Sequence, residues 1–181
     1  SAAEEADGAI TALAGDGWEG IWYAAGRSQN AQGEYYDNPT HFKLVIDGMG
    51  QVTLYYFHYD GTYHFNWGSW GTYSETATGL HLRLNDVQEA DVQFYYNKQV
   101  VYSKSFGYLE EISFAAAGYT GPTTPPALPA SWVGSYTGTT SEGSVILNLR
   151  GDLSGSFRGL PFTAVYDGDK TVTFSLDGLL H

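Results

Sequence analysis

From Trp18 onward the chain alternates apolar and polar positions with a period of two, the signature of half-buried strands. Phe42, Leu44 and Ile46 alternate with His41, Lys43 and Val45, and Asp47–Gly50 supplies a turn before Val52, which predicts a hairpin. Further alternating runs are Tyr63, Phe65 and Trp67; Leu80, Leu82 and Leu84 after the turn signal Thr78–Gly79; and Val92, Phe94 and Tyr96 before Asn97–Lys98. The same rhythm returns in Val145, Leu147 and Leu149 before Gly151–Asp152, and in Val172, Phe174 and Leu176 after Asp167–Lys170. Strands recurring about every 10–12 residues fit a meander, sandwich or barrel rather than βαβ units. Ahead of them, residues 2–14 combine helix formers with early acidic residues, so a short helix or an extended tail is expected there, ended by Gly15–Gly17.

Residues Gly121–Pro129 carry four of the six prolines and cannot form a central strand, because proline offers no N–H to a ladder. They read as a semi-rigid connector of polyproline II character. The expected organisation is an N-terminal segment over 1–17, a main β-barrel or meander over 18–118, a Pro-rich connector over 119–130 and a small β-meander unit over 131–181. That last unit, about 50 residues long, is small for independent stability and should lean on the first or on another chain. The fold class is all-β: an antiparallel meander or up-and-down barrel with a small second β unit after the connector.

Composition narrows the function. The 181 residues hold 20 acidic and 8 basic side chains, a formal charge of −12, so the electropositive footprint of a nucleic-acid binder is missing. Cysteine is absent, which removes disulfides, thiolate metal sites and cysteine nucleophiles. Gly reaches 23 residues and Tyr 15 while charged residues are 15%, a bias toward strands, tight turns and aromatic surfaces. No apolar run approaches the roughly 18–20 residues of a membrane-spanning helix. Residues Ser1–Asp7 have neither a basic n-region nor an apolar h-region. The chain opens on Ser rather than Met, as after removal of a natural start by either processing or cloning. The low Lys content, abundant Gly and Tyr and a pI near 4.5 suggest an extracellular or periplasmic location.

Trp18-Glu-Gly-Ile-Trp22 and Trp132-Val-Gly-Ser-Tyr136 share a W-x-G-x-aromatic pattern, each at the opening of a strand run, and Trp70-Gly-Thr-Tyr73 is a looser relative. Glycine there would let a ring or backbone pack close where a strand bends; a structural repeat and a coincidence of composition both account for the pattern. Gly20-Ile-Trp22-Tyr23 resembles the G-x-W-[YF] opening of lipocalin-like and wider calycin barrels. Gly71-Thr-Tyr73 followed by Gly79–Leu84 is similar to the rhythm of bacterial lipocalin-like domains, and Ala130–Tyr136 with Val145–Gly155 has an avidin-like cadence. The resemblance implies an up-and-down barrel with a ligand cavity.

The densest chemistry lies in Leu54–Trp67, a hairpin around Asp60-Gly61. With a three-residue loop Asp60-Gly61-Thr62, Tyr59 faces Tyr63, Phe57 faces Phe65 and Tyr55 faces Trp67, giving one six-ring face, and His58 lies opposite His64 on the other. A two-residue Asp-Gly loop would pair His58 with Tyr63, since a slip of one residue exchanges the faces. Tyr55, Phe57, Tyr59, Tyr63, Phe65, Trp67 and Trp70 are therefore the candidate ligand-binding residues, as a platform for a glycan or a hydrophobic small molecule. The competing reading is a core face of cross-strand aromatic pairs. A metal at the two histidines needs a third ligand, for which Asp60 and Glu75 are nearest in sequence; no metal and no cofactor is implied. A glycosidase needs two carboxylates at a defined separation, and nothing selects a pair: Glu110 and Glu111 would point to opposite faces of a strand, while Asp86, Glu89 and Asp91 belong to a polar loop without EF-hand spacing. No nucleophile elbow, phosphate-binding loop, zinc-protease or dinucleotide motif occurs.

Three functions follow. The first is a non-enzymatic secreted barrel binding a glycan or hydrophobic small molecule through an aromatic-lined face or cavity. The second is a structural or adhesive surface subunit, a homo-oligomer assembling through β-edges and termini. The third is an enzyme on a calycin-like barrel, which would reveal itself by a closed pocket holding a charged group of strongly shifted pKa.

Overall fold

The structure, a computed structural model, describes residues 15–85, 88–107 and 109–176. The segment expected to be a helix or tail over 2–14 lies outside them, as do Asp86 and the end of the chain. Eight antiparallel strands follow one another around a closed barrel: β1 (Gly20–Gln29), β2 (Tyr35–Ile46), β3 (Gln51–Tyr59), β4 (Tyr63–Glu75), β5 (Leu80–Leu84), β6 (Glu89–Tyr95), β7 (Val100–Ser103) and β8 (Ile112–Ala116). β8 returns to β1 through Trp22↔Ala116 and Tyr23↔Ala115, which closes the ring. A separate five-stranded half-barrel sheet follows: β9 (Gly134–Thr140), β10 (Gly143–Leu149), β11 (Ser154–Phe157), β12 (Leu160–Tyr166) and β13 (Val172–Leu176), each paired with its sequence neighbours. This is the all-β architecture that the period of two predicts. Among the described residues no helix is long and apolar enough to cross a membrane.

The alternation decides what fills the barrel. Leu44 and Ile46, Val52 and Leu54, Leu80 and Leu82, and Val92 all point inward and are fully buried. Phe106, from the β7–β8 connection, is fully buried against Phe114 with ring centroids 5.8 Å apart. The lumen is thus occupied by the chain's own side chains, the usual state of a small eight-stranded barrel, and the ligand cavity implied by the lipocalin-like resemblance is filled. One end is closed by Gly15–Glu19. There Asp16 N–H donates to Gly48 O, Tyr73 Oη donates to Asp16 Oδ2 at 2.8 Å, and Trp18 Nε1 donates to Glu75 Oε1 at 2.6 Å. Lys98, in the β6–β7 turn, sits over the Trp18 ring and donates to Gly17 O, while Trp22 Nε1 donates to Lys98 O.

Tyr96 does not continue the Val92, Phe94 alternation as expected. It adopts φ +56° in the turn after β6 and its ring stacks near Tyr119, 6.3 Å away. Tyr95, Val100 and Tyr102 instead form a second apolar cluster, with Val165 of β12 packed against it, so this outer flank of the barrel is covered by the half-barrel. The connector is pinned as well: Tyr96 Oη donates to Thr124 O and Ser113 Oγ to Thr123 O, and Leu128 is buried in the core of the second sheet. Tyr136, Leu147, Leu149, Phe162 and Phe174 share the apolar face of that sheet, bordering an open concavity of about 480 Å³. Its other face is polar, with Ser135, Asn148 and Ser156 in a hydrogen-bonded row.

Gly71, on β4, is where close approach is tightest. A Cβ there would meet the backbone oxygen of Arg83 at 1.8 Å. Gly71→Ala must therefore push β5 off β4, and a loss of about 2–4 kcal/mol of unfolding free energy is expected, read as a lower urea midpoint at unchanged slope.

Candidate functional site

The β3–β4 hairpin turns on Asp60-Gly61-Thr62, the three-residue loop, with Gly61 at φ +106° where a side chain is strained. The Asp60 carboxylate accepts from Thr62 N–H and Thr62 Oγ1, and lies 2.9 Å from His64 Nε2. Desolvation pushes the Asp60 carboxyl up, but the bonds from His64 and Thr62 outweigh it and hold the pKa below its ordinary value.

From this turn the register begins as expected: Tyr59↔Tyr63, His58↔His64 and Phe57↔Phe65. It then breaks. Between Phe65 and Trp67 the extra residue Asn66 forms a bulge, after which Tyr56 pairs with Trp67 and Tyr55 with Gly68. A bulge transfers all residues beyond it to the opposite face. The expected Tyr55–Trp67 pair is therefore not formed, and the six-ring face divides in two. Trp67 turns inward and stacks on Tyr56, with centroids 5.5 Å apart and planes at 15°, against the barrel core. Tyr55, Phe57, Tyr59, Tyr63 and Phe65 stay on the outer face in two contact groups, Tyr59 with Tyr63 near the turn and Phe57, Phe65 and Tyr55 beyond it. Tyr59 to Tyr63 is 4.9 Å, Phe57 to Phe65 6.3 Å and Phe65 to Tyr55 6.2 Å.

Trp70 joins this outer face. It pairs with Thr53, and its ring and that of Tyr55 flank the bare backbone of Gly68. Phe65 is 59% exposed and Trp70 55%. Two further groups border the stripe that the sequence reading did not assign: Tyr36, edge-on to Tyr59 at 5.9 Å, and Lys43, whose Nζ lies 5.6 Å from the Tyr55 ring centre. Tyr36 could not be found from periodicity, since it sits beyond a break in the β1–β2 register; Lys43 was legible as an outward position, opposite Tyr55 across β2 and β3.

On the inner side of the hairpin lies a polar pocket of the core. Asn38 and His41 are both buried, Asn38 Nδ2 donating to His41 Nδ1 at 3.0 Å, and the His41 ring is edge-on to Tyr56 at 4.6 Å. Burial, with the nearby His58 second, lowers the His41 pKa below 6.5.

The carboxylates disperse. Glu75 is engaged by Trp18, and Glu89 and Asp91, expected in a loop, lie on β6 opposite Arg83 and His81, at 3.3 Å and 2.8 Å. Glu110 and Glu111 precede β8 rather than forming part of a strand. Among the described residues no group of three His, Asp or Glu side chains converges to hold a metal.

The closed eight-stranded antiparallel barrel is compatible with a calycin-like fold. Comparison with protein-family models, curated proteins and solved structures finds no match to this chain.

The lowered His41 pKa sets a pH dependence. The unfolded chain takes up this proton near pH 6.5 and the folded chain only below it, so the contribution is complete above about 6.5 and is lost as pH falls. Urea midpoints should decline from pH 7 to pH 5, and His41→Gln should flatten that slope.

Proposed function

We propose that this is a non-enzymatic, exported binding protein that holds a glycan against the outer ring stripe of the β3–β4 hairpin. One observation carries the reading: Tyr55, Phe57, Tyr59, Tyr63, Phe65 and Trp70 lie on one outward face, with Phe65 and Trp70 more than half exposed. Exposed rings contribute nothing to the barrel core, and a contiguous apolar patch of this kind on a soluble surface usually marks a contact site. Planar rings offer the C–H faces of a sugar a wide, rigid contact with little entropy to lose. The phenols of Tyr59 and Tyr63, with Asp60, Thr62 and His64 at the tip, supply donors and acceptors for its hydroxyls.

Two considerations favour a sugar over the hydrophobic small molecule that the sequence equally allows. A small apolar ligand needs a concave site that buries most of its surface. The hairpin stripe offers none and the barrel lumen is filled by Leu44, Leu54, Leu82, Phe106 and their neighbours, which leaves the open concavity of the half-barrel as the place for such a ligand and the stripe for a sugar. The stripe, by contrast, is an open surface bordered by polar groups. The net charge of −12 disfavours acidic polysaccharides, so the glycan is neutral. Trp67 belongs to the core in this reading and not to the site.

Titration of tryptophan emission with neutral oligosaccharides tests it, because Trp70 lies in the contact. A saturable change is expected, with Phe65→Ala and Trp70→Ala each weakening binding about tenfold, or ~1.4 kcal/mol, at unchanged unfolding midpoints. Binding is read by calorimetry for Trp70→Ala. No binding across a broad glycan array, or binding by both variants as tight as by the unaltered chain, refutes the assignment.

A further inference from the structure

The barrel and the half-barrel begin alike. Trp18 precedes β1 and packs on Phe94, Gly20 opens the strand and Trp22 points into the core. Trp132 precedes β9 and packs on Tyr166, Gly134 opens the strand and Tyr136 takes the place of Trp22. They differ at the far side of that first strand. β1 has β8 beside it, with the small residue Ala116 opposite Trp22. β9 has, among the described residues, a partner on one side alone, β10. Tyr136 is accordingly 47% exposed where Trp22 is 3%.

Soluble proteins guard an open edge with charge, proline or a bulge. β9 has none of these: it reads Gly-Ser-Tyr-Thr-Gly-Thr-Thr, and its pairing with β10 runs unbroken from Thr140 to Gly134. The five strands of the half-barrel contain no Asp, Glu, Lys, Arg or His. Residues 131–181 hold five acidic and three basic side chains, a net −2 of the chain's −12. The charge that would keep two copies apart therefore sits elsewhere.

We propose that β9 is completed by β9 of a second copy of this chain, antiparallel, about a two-fold axis through Thr137. The occupant is a copy of the same chain because the strand is complementary to itself. In this register Tyr136 lies opposite Gly138 of the other copy, Ser135 opposite Thr139 and Gly134 opposite Thr140. Each tyrosine covers a glycine across the junction, as Trp22 covers Ala116 in the barrel, and aromatic cover is a known remedy for an edge glycine. One self-complementary patch suffices for a closed dimer. Ten strands is about the size at which a twisted sheet curls onto itself, and curling turns the two apolar faces toward a shared core. Tyr136, Leu147, Val172 and Phe174, the parts of each apolar face still open in the monomer, are covered there, while Leu149, Phe162, Ala164 and Tyr166 are buried already.

Thr137 is exposed on the polar face, so Thr137→Lys spares the monomer's core and sets two ammonium groups opposite each other on the axis. Sedimentation equilibrium of the full chain from about 1 µM to about 1 mM should show a dimer. Its dissociation constant should rise at least tenfold in Thr137→Lys and stay unchanged in Thr163→Lys, an exposed site on the same face of β12. Because the chain has no cysteine, Thr137→Cys introduces a single thiol on the axis, within disulfide reach of its mate, and oxidation should yield a covalent dimer. A monomer at all concentrations, a dimer indifferent to Thr137→Lys, or an open-ended series of larger assemblies overturns the proposal. So does a monomer whose β9 amides resist hydrogen exchange, which would assign the edge to another segment of the same polypeptide. If Thr137→Lys loses its β signature by circular dichroism, the cysteine variant decides: no cross-link, no β9 contact.

Discussion

Closure of β8 on β1 is the constraint on which the rest of the molecule depends. A strand leaves one row of backbone donors and acceptors unmet until a neighbour takes them up, and a ring of strands is the one sheet in which every strand has two neighbours. Once Trp22 and Tyr23 are paired with Ala116 and Ala115, the inward positions of all eight strands face a space too narrow for anything but side chains. Leucines, valines and the Phe106–Phe114 pair fill it. A lumen so filled leaves no room inside, and the exposed rings stand on the outside of the barrel, Tyr63, Phe65 and Trp70 of them on the β3–β4 hairpin.

The same constraint, unmet, gives the half-barrel its character. Its five strands have an apolar face and a polar face like those of the barrel, and its residues are patterned as regularly, but the sheet stops short of closing. Leu128 from the connector and Trp132 cover part of the apolar face, and the Val165 contact with Tyr95 and Tyr102 ties the sheet to the flank of the barrel. What is left, a neutral strand edge beside a concave apolar surface, differs in kind from the acidic exterior of the barrel. The two halves thus divide their chemistry: exposed aromatic rings on the outside of the barrel, an uncharged strand edge on the open sheet.

His41 and Asn38 illustrate the cost of a polar pair inside such a structure. Each satisfies the other and Asn38 also reaches the Phe57 carbonyl, while burial, with His58 second, favours the neutral imidazole next to the aromatic lining. The hairpin that presents the outer rings is fastened to the barrel at that point, which links the stability of the core to the geometry of the stripe.

Period-two alternation was enough to specify the class of fold and the inward sets Leu44/Ile46, Leu80/Leu82 and Leu147/Leu149, because each depends on local backbone geometry and on the burial of one face. It left the two- and three-residue turns at Asp60-Gly61 both open, and the structure takes the longer one. Trp67 shows where that logic ended. Nothing in Asn66 announces a bulge, which arises because β3 and β4 must bend with the closing barrel, and a single extra residue sent Trp67 to the core while leaving Phe65 in solvent. Tyr95 and Tyr96 were equally out of reach, since their surroundings come from a sheet some seventy residues further on. Local alternation fixed which residues share a strand face; which of those faces meets water was decided by how strands distant in sequence bend, close and cover one another, a matter of long-range packing that no short stretch of residues encodes alone.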